Sequence, residues 1–422
     1  MIKILIFFAA FAVLPAFGQN NNFDENDSKS NEYLKLIYND CPHPDIIEVE
    51  YSEDGYYEVN YLCGEQLYEI GISNNSIIFK EMKIDISDAP MEQIQKKIDK
   101  KHKDWILDEI AQITAGDETF FKVEILKDGL EQNLYFTDDG KWYKPKSGYS
   151  TDKININSLS ETEAFQESTY NFLSPDYTYE MPDLLREISG VAITEENTFF
   201  CVQDEIGAVF EYSPVDEKII NIHRFTDIGD FEDIAIHGDT VSVLRSDGNT
   251  FVFDYQNKGD VRQHIFSVNS LNIESLFFSG KSNSFYVVSK DVNIGMEDSE
   301  RIVYSFPTGM LHSPDTAFIL DAKFLNKHLK TNYPELINKD MQFAPSAIAV
   351  HPINADIYVL SASDRILAVF SDGILKSAYP LPAEMYYKPE GLAFYANGDL
   401  LISNEGDKKG LFQGNILKFK FR

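Results

Sequence analysis

Five short segments of this chain place a polar residue directly before an apolar run. They begin at Glu187, Glu232, Glu274, Ser346 and Glu390. Carboxylates that lie close together raise one another's pKa or recruit a cation. A ring of carboxylate oxygens between apolar walls suits a hard ion, so the pattern predicts a Ca²⁺ site, with Mg²⁺ as the second choice.

The spacing of these segments predicts a β-propeller over residues 169–422. Three of the four intervals are 42 to 45 residues long and the remaining one is 72, and a repeat of roughly 40–50 residues with four strands is one propeller blade. The count gives five blades, or six if residues 291–345 contain another. The long interval holds an insertion at 320–342 with a helical pattern at 322–330. The last repeat ends after three strands, so a strand from residues 170–179 is expected to close the ring and remove an open sheet edge.

Blade geometry brings further acidic residues to the same place. The inner strand starts at one mouth of the central channel, and its antiparallel neighbour returns there. The predicted metal ligands are Glu187, Glu205, Glu232, Glu274, Glu390 and Glu405. The predicted ligand-binding mouth also includes Ser346, Arg186 and Lys290. A structural alternative is that the polar residues opening the inner strands bond backbone N–H groups of the next blade and join the ring.

Several motifs of the repeat region are similar to those of a known family. They are Arg186-Glu-Ile-Ser-Gly190, Gly229-Asp-Phe-Glu-Asp-Ile-Ala235, Pro345-Ser-Ala-Ile-Ala-Val-His-Pro352, Lys388-Pro-Glu-Gly-Leu392 and Ser403-Asn-Glu405. In this order, over residues 180–422, they resemble the SdiA-regulated (YjiK-like) propeller family. The resemblance implies an exported propeller that can bind a metal and has no assigned substrate.

The pattern of residues 31–146 predicts a small α+β domain that precedes the propeller. The predicted fold class of the whole chain is therefore mainly β. Alternating segments at 48–51, 57–61 and 67–72 predict half-buried strands. Pro90 opens a predicted helix that runs to His102, and further strands lead to Asp139-Gly-Lys141. This order resembles the PepSY-like domains of exported proteins, including the β-lactamase-inhibitor-like group, and the first half resembles a weaker second copy. The polar residues 147–168 predict a linker.

The N-terminus and the bulk charge predict an exported protein. Met-Ile-Lys precedes an apolar run from Ile4 to Phe17, and small residues stand at Ala16 and Gly18. This is typical of a signal peptide over residues 1–18, followed by a disordered leader at 19–30. The formal charge of −31 disfavours nucleic acid as a partner, and no later apolar run is long enough to span a membrane. An oxidising location (periplasm, outer envelope or exterior) would permit a disulfide between two of the cysteines, Cys41 and Cys63.

Three functions stay open at this level. The first is an exported binding protein whose cation-binding propeller recognises an unknown extracellular or envelope ligand. The second is a metal-dependent hydrolase of the phytase-like or lactonase-like propeller type, for which the predicted mouth has few basic groups. The third is an envelope scaffold. Neither a Gly-x-Ser-x-Gly elbow nor a phosphate loop is present, so no catalytic residue is assigned.

Overall fold

The computed structural model describes residues 35–52, 56–85, 89–144, 156–256, 260–266, 268, 270, 272–308, 314–334 and 340–422. The predicted signal peptide and leader lie outside these ranges, as do residues 147–155 of the predicted linker. The chain divides into two compact units, one ending at Lys80 and one beginning at Glu81. No described helix combines the length and the apolar character needed to cross a membrane.

The first unit is a helical turn followed by an antiparallel meander. Helical residues 35–40 precede the strands β1 (Asp45–Tyr51), β2 (Tyr57–Cys63) and β3 (Gln66–Ser73), and β4 (Ser76–Lys83) begins in this unit and ends in the second. The predicted strands at 48–51, 57–61 and 67–72 are confirmed. Ile37, Val59 and Ile70 are buried in one apolar cluster. A disulfide joins Cys41, which follows the helical residues, to Cys63 at the end of β2.

The second unit begins with one helix and three strands. These are α1 (Met91–Lys101), β5 (Ile106–Ala115), β6 (Glu118–Lys127) and β7 (Leu130–Thr137). The predicted helix is confirmed, because Ile94 and Ile98 lie one turn apart and are both buried against the sheet. Val123 and Leu134 supply the apolar face that receives them.

Carboxylates gather on one face of this sheet and make its stability depend on pH. Glu109 of β5 lies directly opposite Glu124 of β6. Burial, together with the charges of Glu131, Glu109 and Asp108, raises the pKa of Glu124 from 4.5 to about 7. Since the folded state holds this proton more tightly than the unfolded chain, the stabilisation is complete below about pH 4.5 and is lost as the pH rises through 7.

Glu124→Gln should therefore make the chain more stable at pH 8 while changing little at pH 4.5. One pKa unit corresponds to about 1.4 kcal/mol, but Glu124 is only half-buried and water screens its charge, so we expect a gain of about 1 kcal/mol at pH 8. Chemical denaturation at the two pH values measures it, with the exposed Glu92→Gln as the control. Identical pH slopes for wild type and Glu124→Gln would contradict this prediction.

The first three blades of the propeller are four-stranded antiparallel sheets, each running outward from the channel in chain order. The first consists of β9 (Ile188–Ile193), β10 (Phe199–Gln203), β11 (Ile206–Ser213) and β12 (Lys218–Ile228). The second consists of β13 (Phe231–His237), β14 (Thr240–Arg245), β15 (Asn249–Asp254) and β16 (Arg262–Ile265). The third consists of β17 (Ile273–Ser279), β18 (Ser284–Ser289), β19 (Glu300–Pro307) and β20 (Asp315–Asp321).

The last two blades complete a ring of five. The fourth consists of β21 (Ala347–Val350), β22 (Ile357–Ser361), β23 (Ile366–Ser371) and β24 (Ile374–Pro380). The fifth combines β25 (Lys388–Phe394), β26 (Leu400–Glu405) and β27 (Asn415–Phe419) with β8 (Tyr177–Glu180) as its outer strand. The predicted closure by a strand from 170–179 is confirmed in its last three residues. Inner strands are buried almost throughout, whereas the outer strand β12 is mostly exposed.

The long interval contains no sixth blade among the residues described. Its strands β19 and β20 are the outer half of the third blade, and the predicted helix is α4 (Ala322–Asn332). Within the predicted linker, residues 156–168 contain two short helices, α2 (Ile156–Ser160) and α3 (Glu163–Gln166). Leu159 is buried in the same apolar cluster as Leu325 and Leu329 of α4. This part of the predicted linker therefore packs on the propeller.

Candidate cation site at the propeller mouth

Three of the predicted glutamates lie in irregularities of the inner strands. The pairing register shifts between Phe231 and Asp233, between Ile273 and Ser275, and between Pro389 and Gly391. The residues inside these shifts are Glu232, Glu274 and Glu390. A β-bulge redirects a side chain away from the regular alternation of the strand. Glu274 and Glu390 are only 5% and 8% exposed, so their carboxyl groups lie in the interior.

Glu187 reaches the mouth in a different way. The irregularity in β9 lies between Ile188 and Val191, so the buried Ser189 takes the place that glutamate takes in three other blades. Glu187 immediately precedes β9 and meets Asp204, just after β10, and Glu405, at the end of β26. One carboxylate oxygen from each of these three residues lies within 4.8 Å of the other two. We call Glu187, Asp204 and Glu405 the carboxylate triad.

One oxygen of the triad lacks a hydrogen-bond donor. Among the described residues, Asp204 Oδ1 is a buried atom with no hydrogen-bond partner. A buried acceptor left unsatisfied costs about 1–3 kcal/mol, so a group that donates to Asp204 Oδ1 or coordinates it would stabilise the folded protein. Burial raises the pKa of Asp204, Glu187 and Glu405 raise it further, and Lys408 opposes them. An oxygen-only donor set with one orphaned member fits a hard divalent cation.

Three lysines lie beside these carboxylates. Lys388 Nζ is 2.9 Å from Glu405 Oε2 and 3.7 Å from Glu390 Oε1. Lys290 Nζ is 3.5 Å from Glu274 Oε1. Lys408 Nζ is 3.3 Å from Glu187 Oε1 and also forms an ion pair with Glu205. The lysines thus neutralise part of the negative charge of the mouth.

Burial, reinforced by the remaining negative charge, raises the pKa of several carboxyl groups at the mouth. Burial raises the pKa of Glu390 to about 8, with Glu405 and Glu274 adding to the rise and Lys388 opposing it. Burial also raises the pKa of Glu187 to about 7, against the effect of Lys408. The pKa of Glu232 is raised well above its usual value, first by burial and then by Glu274. Electrostatic interactions therefore connect Glu232 with Glu274 and Glu390, and Glu405 with both Glu390 and Glu187.

Other predicted mouth residues have structural partners. Ser346 is 3% exposed, and its hydroxyl donates to the Pro389 carbonyl 3.1 Å away in the next blade. It therefore links two blades through a carbonyl, whereas the structural alternative expected a bond to a backbone N–H group. Arg186 is also buried, and its guanidinium donates to the Phe412 carbonyl at 2.6 Å and to Asp183. Neither side chain is directed at the carboxylate triad by these bonds.

The sequence-based site did not include Lys408. This residue lies in the segment 406–414 between β26 and β27, which we call the lysine loop. The only signal was compositional, a Lys408-Lys409 pair directly after an acidic strand end in a chain with 37 basic and 68 acidic residues. Nothing in the spacing of the repeat indicates that this loop returns to the mouth.

Strand pairing and the mouth define the class of protein: a five-bladed β-propeller with a carboxylate-rich channel mouth. No known protein family matches the sequence, and no curated protein is similar to it at a significant level. Among solved structures, glutaminyl cyclase of Myxococcus xanthus is 10% identical with a TM-score of 0.41, over 58% of this chain and 95% of that one.

Two other solved structures are similar at the same low level. A streptogramin B lyase is 11% identical with a TM-score of 0.34, over 89% of this chain and 93% of that one. The PQQ-bound aldose sugar dehydrogenase of Streptomyces coelicolor is 11% identical with a TM-score of 0.38, over 58% of this chain and 97% of that one. Scores this low carry no argument about what this chain does.

Proposed function

We propose that this protein is an exported binding protein whose propeller mouth binds a divalent cation, Ca²⁺ in preference to Mg²⁺. The observation that supports it most directly is the carboxylate triad, with oxygens within 4.8 Å of one another and a buried Asp204 Oδ1 that has no hydrogen-bond partner. A cation among these oxygens would satisfy the orphaned acceptor and offset the repulsion between the three carboxylates.

The charge balance of the mouth supports a bound cation. The interacting carboxylates are those of Glu187, Asp204, Glu205, Asp230, Glu232, Glu274, Glu390 and Glu405. The ammonium groups beside them are those of Lys290, Lys388 and Lys408. Glu205 and Asp230 are exposed, and the other six carboxylates are buried or half-buried. Because buried carboxylates without a counter-ion are costly, the excess of these six over the three lysines must be relieved by protons or by a cation. Ca²⁺ accepts roughly six to eight oxygens in flexible geometry, whereas Mg²⁺ requires a strict octahedron.

The features outside the mouth support an extracytoplasmic binding role. The N-terminal signal-like segment and the Cys41–Cys63 disulfide favour an oxidising location. The PepSY-like resemblance of residues 31–146 adds a second region of a type thought to bind rather than catalyse. The propeller itself, several motifs of which resemble those of SdiA-regulated propellers, would recognise an extracellular or envelope ligand through its cation-bearing mouth.

The hydrolase alternative has less support at this mouth. A metal-dependent hydrolase of phosphate-rich substrates would need cationic groups directed at the substrate. Lys290, Lys388 and Lys408 all lie within ion-pair distance of carboxylates. Arg245 is held by Asp247 through two bonds of 3.0 and 2.7 Å. These basic groups therefore form ion pairs with carboxylates of the protein itself, and these contacts do not direct them at a substrate.

Calcium titration of the full mature chain after EDTA treatment and dialysis tests the proposal. We expect one Ca²⁺ to bind per chain and Mg²⁺ to bind more weakly. Asp204→Asn should weaken Ca²⁺ binding at least about tenfold, because it removes the charge of the orphaned ligand. Asp247→Asn is the matched control and should bind like the wild type, since that carboxylate is already held by Arg245.

Two outcomes would change the proposed function. Absence of both binding heat and a Ca²⁺-dependent rise in melting temperature would overturn the cation site. Hydrolysis of phosphoesters, lactones or esters that disappears in Glu232→Gln would replace the binding role with the hydrolase alternative.

A further inference from the structure

The lysine loop is closed on itself and fastened at its base. The Asp407 carboxylate accepts the backbone N–H groups of Leu411 at 2.9 Å and Phe412 at 2.7 Å. The N–H of Gly406 donates to the Arg186 carbonyl at 2.7 Å. At Gly414 a Cβ atom would lie 2.2 Å from that same carbonyl oxygen, so only glycine permits the close approach. The loop therefore presents its lysines in a defined position.

Strands β5–β7 hold the tip of the loop. The Tyr135 hydroxyl of β7 donates to the Lys408 carbonyl at 2.9 Å. Gly410 has φ +78° and packs so closely on the Tyr135 ring that a Cβ would lie 2.3 Å from a ring carbon. Lys409 Nζ is 2.9 Å from Oε2 of Glu81, a largely buried residue of β4 whose other oxygen is 2.6 Å from Lys122 Nζ of β6. A shift of this sheet would thus displace the loop.

The same contacts bring the sheet to the mouth itself. The Arg186 guanidinium lies 4.3 Å from the centre of the Tyr135 ring and also binds the Phe412 carbonyl of the loop. Glu131 and Asn133 of β7 line one small cavity together with Glu187, Glu205 and Lys408. Sheet, lysine loop and carboxylate triad therefore form one continuous set of contacts.

Lys408 lies where a bound cation would compete with it. Its ammonium group is 3.3 Å from Glu187 Oε1, and Glu187 is a member of the carboxylate triad. It also interacts electrostatically with Asp204. A divalent cation bound to these oxygens would face the ammonium group at short range, where like charges repel strongly in a partly buried site.

We propose that Lys408 is a built-in cation that competes with the metal for the carboxylate triad, and that strands β5–β7 set the metal affinity by holding Lys408 in place. This inference rests on the proposed function, because it concerns the regulation of the same site. A partner that moves the β5–β7 sheet would withdraw Lys408 and raise the affinity of the mouth for its cation.

A double-variant cycle on the full mature chain, with Ca²⁺ alone as the probe, tests the inference. Lys408→Met should bind Ca²⁺ at least about tenfold more tightly than the wild type. Tyr135→Phe, which removes only the bond to the Lys408 carbonyl, should tighten binding by about two- to fivefold. Adding Tyr135→Phe to Lys408→Met should have no further effect, because the sheet acts through that lysine.

The controls separate a local effect from a change in net charge. Lys144→Met removes a lysine whose side chain is 79% exposed and whose partner is Glu180, so it should leave Ca²⁺ affinity unchanged. If Tyr135→Phe does not fold, Lys409→Gln takes the place of Tyr135→Phe in the cycle, because it loosens the same loop from Glu81.

The outcomes distinguish the two proposals. Equal Ca²⁺ affinity in wild type and Lys408→Met overturns the competition while leaving the cation site intact. An additive effect of Tyr135→Phe in the Lys408→Met background overturns the role of the sheet. Failure of every variant and the wild type to bind Ca²⁺ overturns the proposed function and this inference together.

Discussion

Asp233→Ala lowers the free energy of unfolding by about 3 kcal/mol or more, because it leaves two buried backbone donors unsatisfied. The Asp233 side chain is 5% exposed. Its Oδ1 accepts the N–H of Ile234 and its Oδ2 accepts the N–H of Leu276 in the next blade, both at 2.8 Å. The carboxylate thus joins two inner strands that have no backbone ladder between them.

Guanidinium denaturation followed by tryptophan fluorescence and circular dichroism measures this loss. Asp233→Asn keeps one acceptor oxygen and should lie between wild type and Asp233→Ala. The control is Asp239→Ala in an exposed turn of the same blade, which should change stability by no more than about 0.5 kcal/mol. A loss below about 1 kcal/mol for Asp233→Ala would show that water or rearrangement satisfies both donors.

Lys388→Met is expected to destabilise the calcium-free protein by about 2–4 kcal/mol at pH 8, and Ca²⁺ should restore most of the loss. Lys388 Nζ lies 2.9 Å from Glu405 and 3.7 Å from Glu390, whose side chains are 11% and 9% exposed. Removing one partner of a buried ion pair leaves an uncompensated charge. A cation bound by Glu405 would replace the lost ammonium group and stabilise the folded state by mass action.

Thermal denaturation with EDTA and with millimolar Ca²⁺ measures both parts of this prediction. Lys420→Met, in which a 69%-exposed lysine loses a distant contact with Asp176, is the matched control and should be unaffected by either condition. Destabilisation without rescue would place any bound Ca²⁺ away from Glu405. Rescue of Lys388→Met by Mg²⁺ as fully as by Ca²⁺ would contradict the expected ion preference.

Much of the propeller could be predicted, because the sequence pattern that specifies a blade lies within that blade and recurs in the others. An inner strand buried on nearly all sides reads as a short apolar run, and its recurrence gives the blade count. Closure of the ring followed from the missing strand of the last repeat, since an open edge is unfavourable. The helix α4 followed from its amphipathic period within the long interval.

The site was predicted only in part, because the positions of β-bulges and the paths of loops cannot be recognised from a short stretch of sequence. When the repeats are aligned on their glutamates, Glu187 falls at the same position as Glu232. The strand pairing shows instead that Ser189 is the residue of the first blade that corresponds to Glu232. A single extra residue in a strand changes which side chains share a face, and single-sequence periodicity does not register it. Arg186 could be read as a free basic group because one of its main partners, the Phe412 carbonyl, lies more than 200 positions away in the chain.

The sequence by itself determined a β-propeller with carboxylates collected at one mouth, because strand period and repeat length are encoded within each blade. Only the tertiary structure decided which carboxylates meet, namely Glu187, Asp204 and Glu405, and that Lys408 lies among them. These residues come from strand ends and a loop far apart in the chain. Ring closure and the contact of the lysine loop with Tyr135 bring them together.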